Sequence, residues 1–502
     1  MTPPPRPRPF CRTAARRAVL TCGSALVLIL AGCNKSLIAG QNTFRNGDVA
    51  GAAQIYDAYA KGEGQKPKNR VIAMLELGAA QQALGDFDAS NQSLAQAQQA
   101  MDVFDQRPEV SLSTETRALL INLNELPYRG WDSDRVMAAT LRALNFLFLH
   151  DPGSARPSLN RAYHHQQEAV ARNAKELEAA QAAATQLGRE NNVPAADAPL
   201  DRLMHDPKVS EQVGQRFTNL ERYAAFAPYV NPFSVLLSGL FFTHFPADPG
   251  DRQRAVIDLE RAAGMAPDNP FVVDALTDAR RVAAGGTPTP AVHVFFAPGT
   301  SPRLDAIYLE LPTFLVSRRV TYVAANFPRL VENNLLLDRV RVSNGTQTVA
   351  PEPMASLDAV VGREFKERLP ALILKSSLSA AIKAAASYAV NDAVIRSREG
   401  NGGRAGASTE DQLVVLLAQL ATLGYQAATN QADQRIWASL PKRVDYARLP
   451  TPDDGVVEVT GGSSGSVRVE LDPRISHGVW IRSVHPQRPL IVQTFPFGVT
   501  EP

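Results

Sequence analysis

The sequence predicts an α+β multidomain chain: an N-terminal α-solenoid of helical hairpins, then a small antiparallel β-sandwich domain with inserted helices. Three observations carry that prediction. Apolar residues recur at helical spacing up to about residue 283, punctuated by Gly-Asp turns. The run Ala283-Ala284-Gly285-Gly286-Thr287-Pro288-Thr289-Pro290 then breaks the pattern. Beyond it polar and apolar residues alternate, as in antiparallel strands with one solvated face. The expected organisation is a leader over 1–32, a helical repeat domain over 33–283 and a linker over 284–290. A β-rich domain follows over 291–502, with a helical insertion at about 356–430.

A chain of 502 residues exceeds what one ordinary core holds, and its 45% hydrophobic and 20% charged residues are those of a globular protein. Its 52 basic and 50 acidic residues nearly cancel. Five of the basic residues (Arg6, Arg8, Arg12, Arg16, Arg17) lie in the leader, so the rest is slightly acidic. No basic stripe remains, and no nucleic-acid partner is expected. Of the three cysteines, Cys11 and Cys22 lie in the leader and Cys33 ends it. That excludes an intrachain disulfide framework and a thiolate zinc cluster in the mature chain.

Behind the leader's arginines, residues 19–30 form an apolar run centred on Leu26-Val27-Leu28-Ile29-Leu30. The run is short of the roughly 20 residues a membrane span needs. Its end, Leu30-Ala31-Gly32-Cys33, resembles the lipobox of bacterial lipoproteins. The resemblance implies that Cys33 is the first mature residue and the lipid attachment site, held stably because several acyl chains are added. The next residue is Asn34, not the aspartate that favours inner-membrane retention in Gram-negative sorting. The resemblance therefore implies the periplasmic face of the outer membrane. The competing readings are an ordinary signal peptide with a chance cysteine and an uncleaved anchor.

In the helical half, Asn46-Gly47-Asp48 and Leu84-Gly85-Asp86 each precede a helix rich in small residues. Gly47 and Gly85 are 38 residues apart, near the roughly 34-residue period of tetratricopeptide repeats. A further copy covers residues 231–267, with Asp248-Pro249-Gly250-Asp251 as its turn, and a degenerate copy covers 141–163. Helix pairs of this kind bury their apolar faces against one another and stack into a solenoid with a concave groove. That groove is expected to hold a partner protein. Residues 158–187 read as a strong helix, and 191–199 as a loop.

In the second half, strands are expected at 292–296, 306–312, 321–325 and 337–342, with a hairpin turn at Ser343-Asn344-Gly345-Thr346. More are expected at 455–459, 466–471, 478–484 and 490–494. Both ends of this half would build the sandwich. Residues 356–395 read as a long helix broken or kinked at Pro370, and 413–428 as a second. Their length and lysines favour helix packing over membrane insertion.

Catalytic patterns are few. Gly461-Gly462-Ser463-Ser464-Gly465 fits a nucleophile elbow in letters, but a strand follows where a helix is required. His164-His165 are adjacent on a helix and point about 100° apart, so they do not share a metal as an i, i+4 pair does. The remaining histidines (His150, His205, His244, His293, His477, His485) are scattered singly. Asp433, Arg435 and Trp437 form a polar-aromatic cluster at a domain junction, read as structural, with Trp437 buried and Arg435 paired to an acid. No catalytic residue, metal or cofactor is expected.

The order of parts, from lipobox through Gly-Asp helix pairs and Tyr128-Arg129-Gly130 to Asp433-Gln434-Arg435-Ile436-Trp437, resembles an uncharacterised family of proteobacterial tetratricopeptide lipoproteins. Members are often encoded near lipoproteins that resemble activators of penicillin-binding proteins, which implies a place in envelope assembly or maintenance. The expected function is a non-enzymatic periplasmic scaffold, anchored to the membrane by lipid and binding one or more envelope proteins through its repeats. The alternatives are a cell-wall or lipid-active enzyme with a repeat accessory domain, and a subunit of an outer-membrane export or motility complex. The first predicts a deep pocket of converging acids or histidines in 291–502, the second a stable homo-oligomer. The oligomeric state is not set by the sequence.

Overall fold

The computed structural model describes residues 35–106, 126–190, 199–223, 230–312, 322–399, 432–462 and 465–498. Cys33 and the lipobox, nearly all of the loop at 191–199 and the helix expected at 413–428 fall outside them. The described residues form an α+β structure of twelve α-helices and eleven strands in three sheets.

The first helices come as antiparallel hairpins. They are α1 (Lys35–Arg45) with α2 (Val49–Lys61), α3 (Arg70–Ala83) with α4 (Phe87–Gln106), and α5 (Asp132–Phe148) with α6 (Pro152–Glu190). Gly47 and Gly85 take the left-handed backbone that ends a helix, at φ 80° and 82°. The aspartates behind them cap the next helices: Asp48 accepts from the Gly51 amide at 2.9 Å, and Asp86 from Ala89 at 3.3 Å. Helix α6 joins two expected pieces, the degenerate repeat's second helix and the stretch at 158–187, in one 39-residue helix.

After α7 (Pro199–Met204), the next four helices start on an Asx-Pro pair. Asp206 caps α8 (Pro207–Arg216), Asn231 caps α9 (Pro232–His244), Asp248 caps α10 (Pro249–Met265) and Asn269 caps α11 (Pro270–Ala283). Each side-chain oxygen takes an orphan amide while proline fills the position that needs none. Asn269-Pro270, expected to close a repeat, therefore opens a further helix.

Strands β1 (Ala291–Pro298), β6 (Glu352–Ser356), β7 (Arg443–Pro450), β10 (Ser476–Ser483) and β11 (Ile491–Phe497) form one sheet in the order β11-β10-β1-β7-β6. A second sheet, β5-β4-β8-β9, uses β4 (Arg341–Ser343), β5 (Thr348–Val349), β8 (Val456–Thr460) and β9 (Ser466–Glu470). Among the described residues, strands β2 (Arg303–Pro312) and β3 (Tyr322–Val331) pair only with each other. The expectation of purely antiparallel sheets is corrected here, because β1 and β10 run parallel, Val292 opposite His477 and Pro298 opposite Ser483. Parallel neighbours need a long crossover, and the chain between β1 and β10 supplies it.

The expectation of a solvated face fails for the five-stranded sheet, since β1 and β10 are buried along their whole length. Val292, Val294, Phe296, Ala447, Leu449, Val479 and Ile481 point to one side and meet Val342, Val457 and Val459 of the second sheet, with Val340 just ahead of β4. Phe295, Ala297, Val444, Tyr446, Trp480, Phe495 and Phe497 point to the other and join the helices in one core that starts at Leu37. Each such Phe or Leu contributes about 1.5–3 kcal/mol by leaving water. One core thus runs through residues on both sides of 284–290.

The long helix expected at 356–395 is α12 (Leu357–Glu399), with Pro370 inside it rather than at its end. It packs on α6 and on β3. Among the described residues no helix is long and apolar enough to cross a membrane.

Candidate functional site

The surface expected to bind a partner is the inner face of the helix hairpins, formed by their first helices α3, α5 and α9. Each is buried nearly all round: twelve of fourteen residues in α3, fifteen of seventeen in α5 and twelve of thirteen in α9. The chain's own second half covers them. On α9, Phe233 lies 5.9 Å from Phe295 and 5.6 Å from Trp480, ring centre to ring centre. On α5, Phe148 meets Phe495 edge-on at 5.2 Å and stacks on Phe87 of α4 at 4.3 Å. Asn269, at the start of α11, donates to the carbonyls of Glu352 on β6 and Tyr446 on β7 at 2.9 and 3.2 Å. These helices are covered by residues beyond 290 and leave no open face along them among the described residues.

Over α3 the cover is the segment 432–441. Glu76 is fully buried and accepts from the Gln41 amide at 2.7 Å, the Ala438 backbone N–H at 2.9 Å and the Ser439 backbone N–H at 3.2 Å. The Ser439 hydroxyl donates to it too, and Tyr56 Oη lies 3.0 Å from Ser439 Oγ. Burial raises the Glu76 pKa above the usual carboxylate range, and these donors partly oppose it. Arg435 is also buried. It pairs with Asp433 at 2.7 Å and donates to the carbonyls of Lys68 and Leu126 at 2.7 and 2.9 Å. Trp437 is 1% exposed. The Asp433, Arg435 and Trp437 cluster thus does what its residue types predicted: it locks a strap of the second half onto the first.

Below the strap, Arg482 of β10 is buried, and among the described residues no carboxylate pairs with it. It donates to the Ala297 carbonyl at 2.8 Å, and to those of Gly299 and Ser439 at 2.5 and 3.3 Å. Burial pulls its pKa down to about 9.

A second covered junction lies at the start of α5. Glu364 of α12 accepts from the Asp132 and Ser133 amides at 2.7 and 2.9 Å, taking two orphan donors of that helix. Arg368 reaches both Glu364 at 3.3 Å and Glu176 of α6 at 3.1 Å, and Lys375 reaches Glu176 at 2.9 Å. Nearby Asp132 and Asp134 are pushed up to about 6 by burial, although Arg172 pairs with Asp132 at 2.6 Å.

The histidines are less scattered than their spacing suggested. His244, at the end of α9, places Nε2 3.2 Å from Nε2 of His293 on β1, whose Nδ1 is 2.8 Å from the Tyr446 hydroxyl. Phe497 stacks on His244 at 5.0 Å. Burial lowers His244 to about 4 and, with His244 beside it, holds His293 well below its ordinary value. Both rings are neutral at pH 7, so the arrangement is a hydrogen-bonded link from helix to sheet. The only sequence signal was two single histidines 49 residues apart, which carries no pairing information. His165 is buried on α6 and lowered to about 3, whereas His164 beside it faces solvent. Among the described residues no group of three or more His, Cys, Asp or Glu is placed around a metal ion.

The glycine-serine string at 461–465 lies between β8 and β9, which pair antiparallel, and the Gly461 amide donates to the Gly465 carbonyl at 3.2 Å. Strand β8 is thus followed by strand β9 and not by the helix an elbow requires, and Ser463 and Ser464 lie outside the described residues. No protein-family model, no curated protein and no solved structure matches the chain.

Proposed function

We propose that the chain is a non-catalytic scaffold of a Gram-negative cell envelope, held by lipid on Cys33 at the periplasmic face of the outer membrane. In this reading the helix hairpins are tetratricopeptide-like and the two packed sheets form a sandwich. Two hairpins share the close approach such repeats use. A Cβ on Gly78 would meet Leu94 Cγ at 2.7 Å, and one on Gly239 would meet Leu259 Cγ at 2.6 Å. Membership of a proteobacterial family of tetratricopeptide lipoproteins belongs to the same proposal, and rests on the order of parts in the sequence.

The observation that carries the partner reading is where apolar side chains remain exposed. The inner face is occupied, so partner proteins engage the outer helices instead. Val103 on α4, Tyr163 and Val170 on α6, and Ile257 on α10 are large hydrophobic residues left in solvent, on the second helices of three of the four hairpins. Val170 is 57% exposed. Singly such residues are ordinary; their recurrence on successive second helices is what favours a docking face.

A photo-crosslinking residue at Val170 or Ile257 tests this in intact cells, with Tyr308 of β2, 70% exposed, as the contrasting site. The expected result is one envelope protein captured from both helical sites and not from Tyr308. Val170→Glu should abolish that capture while changing folding stability by less than about 0.5 kcal/mol, as surface substitutions do. Capture from Tyr308 alone would sink the reading.

A further inference from the structure

Helix α1 starts at Lys35, two residues after Cys33, and Leu37 is already in the core. Two extended residues reach about 7 Å at most. That is less than the Debye length of about 8 Å at physiological salt. An acyl anchor on Cys33 therefore holds the start of α1 within direct electrostatic reach of the lipid surface.

The neighbours of that start follow from the hairpin register. A Cβ on Gly40 would meet the side chains of Tyr56 and Ile55, so these positions face each other across antiparallel α1 and α2. Both helices rise about 1.5 Å per residue. Five residues back from Gly40 therefore match five residues on from Tyr56, which puts Lys35 beside Ala60 and Lys61. The chain then passes through a 3-10 turn, Glu63–Gln65, whose Gly64 sits against Ala73 of α3. One end of the molecule thus gathers the start of α1, the end of α2, this turn and the start of α3.

That end is basic. Among the described residues, Lys35, Lys61, Lys66, Lys68 and Arg70 stand there with Glu63, with Asp57 one turn back and with the Asp433–Arg435 pair, whose guanidinium holds the Lys68 carbonyl. Lys61 pairs with Asp57 and Lys66 with Glu63, yet the two lysine side chains stay 75% and 52% exposed. Exposed pairs of this kind contribute little and yield to a denser negative surface. The chain as a whole is nearly neutral, so the concentration of cations at the tethered end is local.

We infer that this end, centred on Lys61, Lys66 and Lys68, is a docking surface for anionic phospholipid headgroups. Anchor and basic end together hold the body in one orientation on the bilayer. The inference rests on the reading of Cys33 as the lipid attachment site. Lysines held near an anionic leaflet are attracted additively and only within about a Debye length, which the two-residue tether satisfies.

The test uses the full chain, processed in a Gram-negative host and reconstituted into vesicles. One set is phosphatidylethanolamine with about a third phosphatidylglycerol; the other is neutral phosphatidylcholine. Two readouts separate the two claims. The mass of the N-terminal peptide reports whether Cys33 carries acyl chains. Acetylation rates, followed by peptide mass spectrometry, report which lysines the surface shields. Lys61, Lys66 and Lys68 should label roughly fivefold more slowly on the anionic vesicles, the shielding one headgroup contact gives, and high salt should remove the difference. Lys208 of α8 and Lys366 of α12 should label alike on both. Replacing all three with glutamine (K61Q, K66Q, K68Q) should leave acylation intact and erase the dependence on lipid composition for Lys35. Acylated protein whose Lys61, Lys66 and Lys68 label as Lys208 does on both vesicles overturns the docking surface and leaves the anchor standing. An unmodified Cys33 overturns both.

Discussion

Two buried glutamates join the helical half to the residues beyond 290, and they are held in opposite ways. Glu76, on α3, is a carboxylate hub: neutral donors from Gln41, Ala438 and Ser439 converge on it, and among the described residues no cation pairs with it. Glu364, on α12, is one arm of a cation hub: Arg368 sits between it and Glu176. Burial raises the pKa of both glutamates, opposed by hydrogen bonds at Glu76 and by Arg368 first at Glu364. Hydrogen bonds from backbone amides are fixed in direction, so the Glu76 junction specifies which strap of chain may lie on α3. The Arg368 junction is electrostatic and tolerates small shifts as long as charges balance.

The largest effect should come from removing the carboxylate hub. Glu76→Ala leaves several buried donors without an acceptor, each costing about 1–3 kcal/mol. We expect a total of about 3–5 kcal/mol in urea unfolding. Because one core runs through both halves, both should unfold in the same transition. A loss below about 1 kcal/mol would mean that water or another acceptor replaces the side chain, and the contrast between the junctions would collapse.

Breaking the cation hub should cost less. Arg368→Met strands Glu364 and leaves Glu176 with Lys375 alone, and about 2–4 kcal/mol is expected from uncompensated buried charge. Adding Glu364→Gln should restore part of it, since the helix α5 amides keep an acceptor while one stranded charge is gone. No such rescue exists for Glu76, whose partners are neutral. If the double variant is no better than Arg368→Met, the charge balance is not what this junction depends on.

The sequence showed one junction in outline and hid the other. Asp433, Arg435 and Trp437 announced a structural cluster because an acid, a guanidinium and an indole fall within five residues, just ahead of Ser439-Leu440-Pro441. Glu76 gave no such notice. It sits in Val71-Ile72-Ala73-Met74-Leu75-Glu76-Leu77, where a lone acid reads as the solvent face of a helix, and two of its partners, Ala438 and Ser439, are more than 360 residues away. Strand β7 was missed for a related reason. Arg443, Asp445 and Arg448 interrupt its apolar residues, and only the structure shows Arg443 paired with Asp445 at 2.9 Å. The cover over α9 did leave a trace. Residues Val235-Leu236-Leu237-Ser238-Gly239-Leu240-Phe241-Phe242 are apolar on every side of α9, and a helix apolar all round is covered all round. Neighbouring hairpins cover only part of it; the sheet covers the rest.

The smallest effect separates the junctions most cleanly, because its sign differs between them. Burial raises the folded pKa of Glu76 above its unfolded value. Its contribution is therefore fully present below about pH 4.5 and is lost as pH rises through the folded value. Glu176 is the reverse: burial raises it, but Arg368 and Lys375 together outweigh burial and hold it well below the usual carboxylate range. Its contribution is present above about pH 4.5 and is lost on acidification. Glu76→Gln should therefore gain on the wild type as pH rises from 4 to 8, since glutamine is never ionised. Glu176→Gln should gain on it as pH falls from 6 to 3. The Glu176 side chain is about a third exposed, so solvent screening limits its swing to the order of 1 kcal/mol. Parallel unfolding curves for the two variants across that range would show that the junctions differ only in geometry and not in how charge is held.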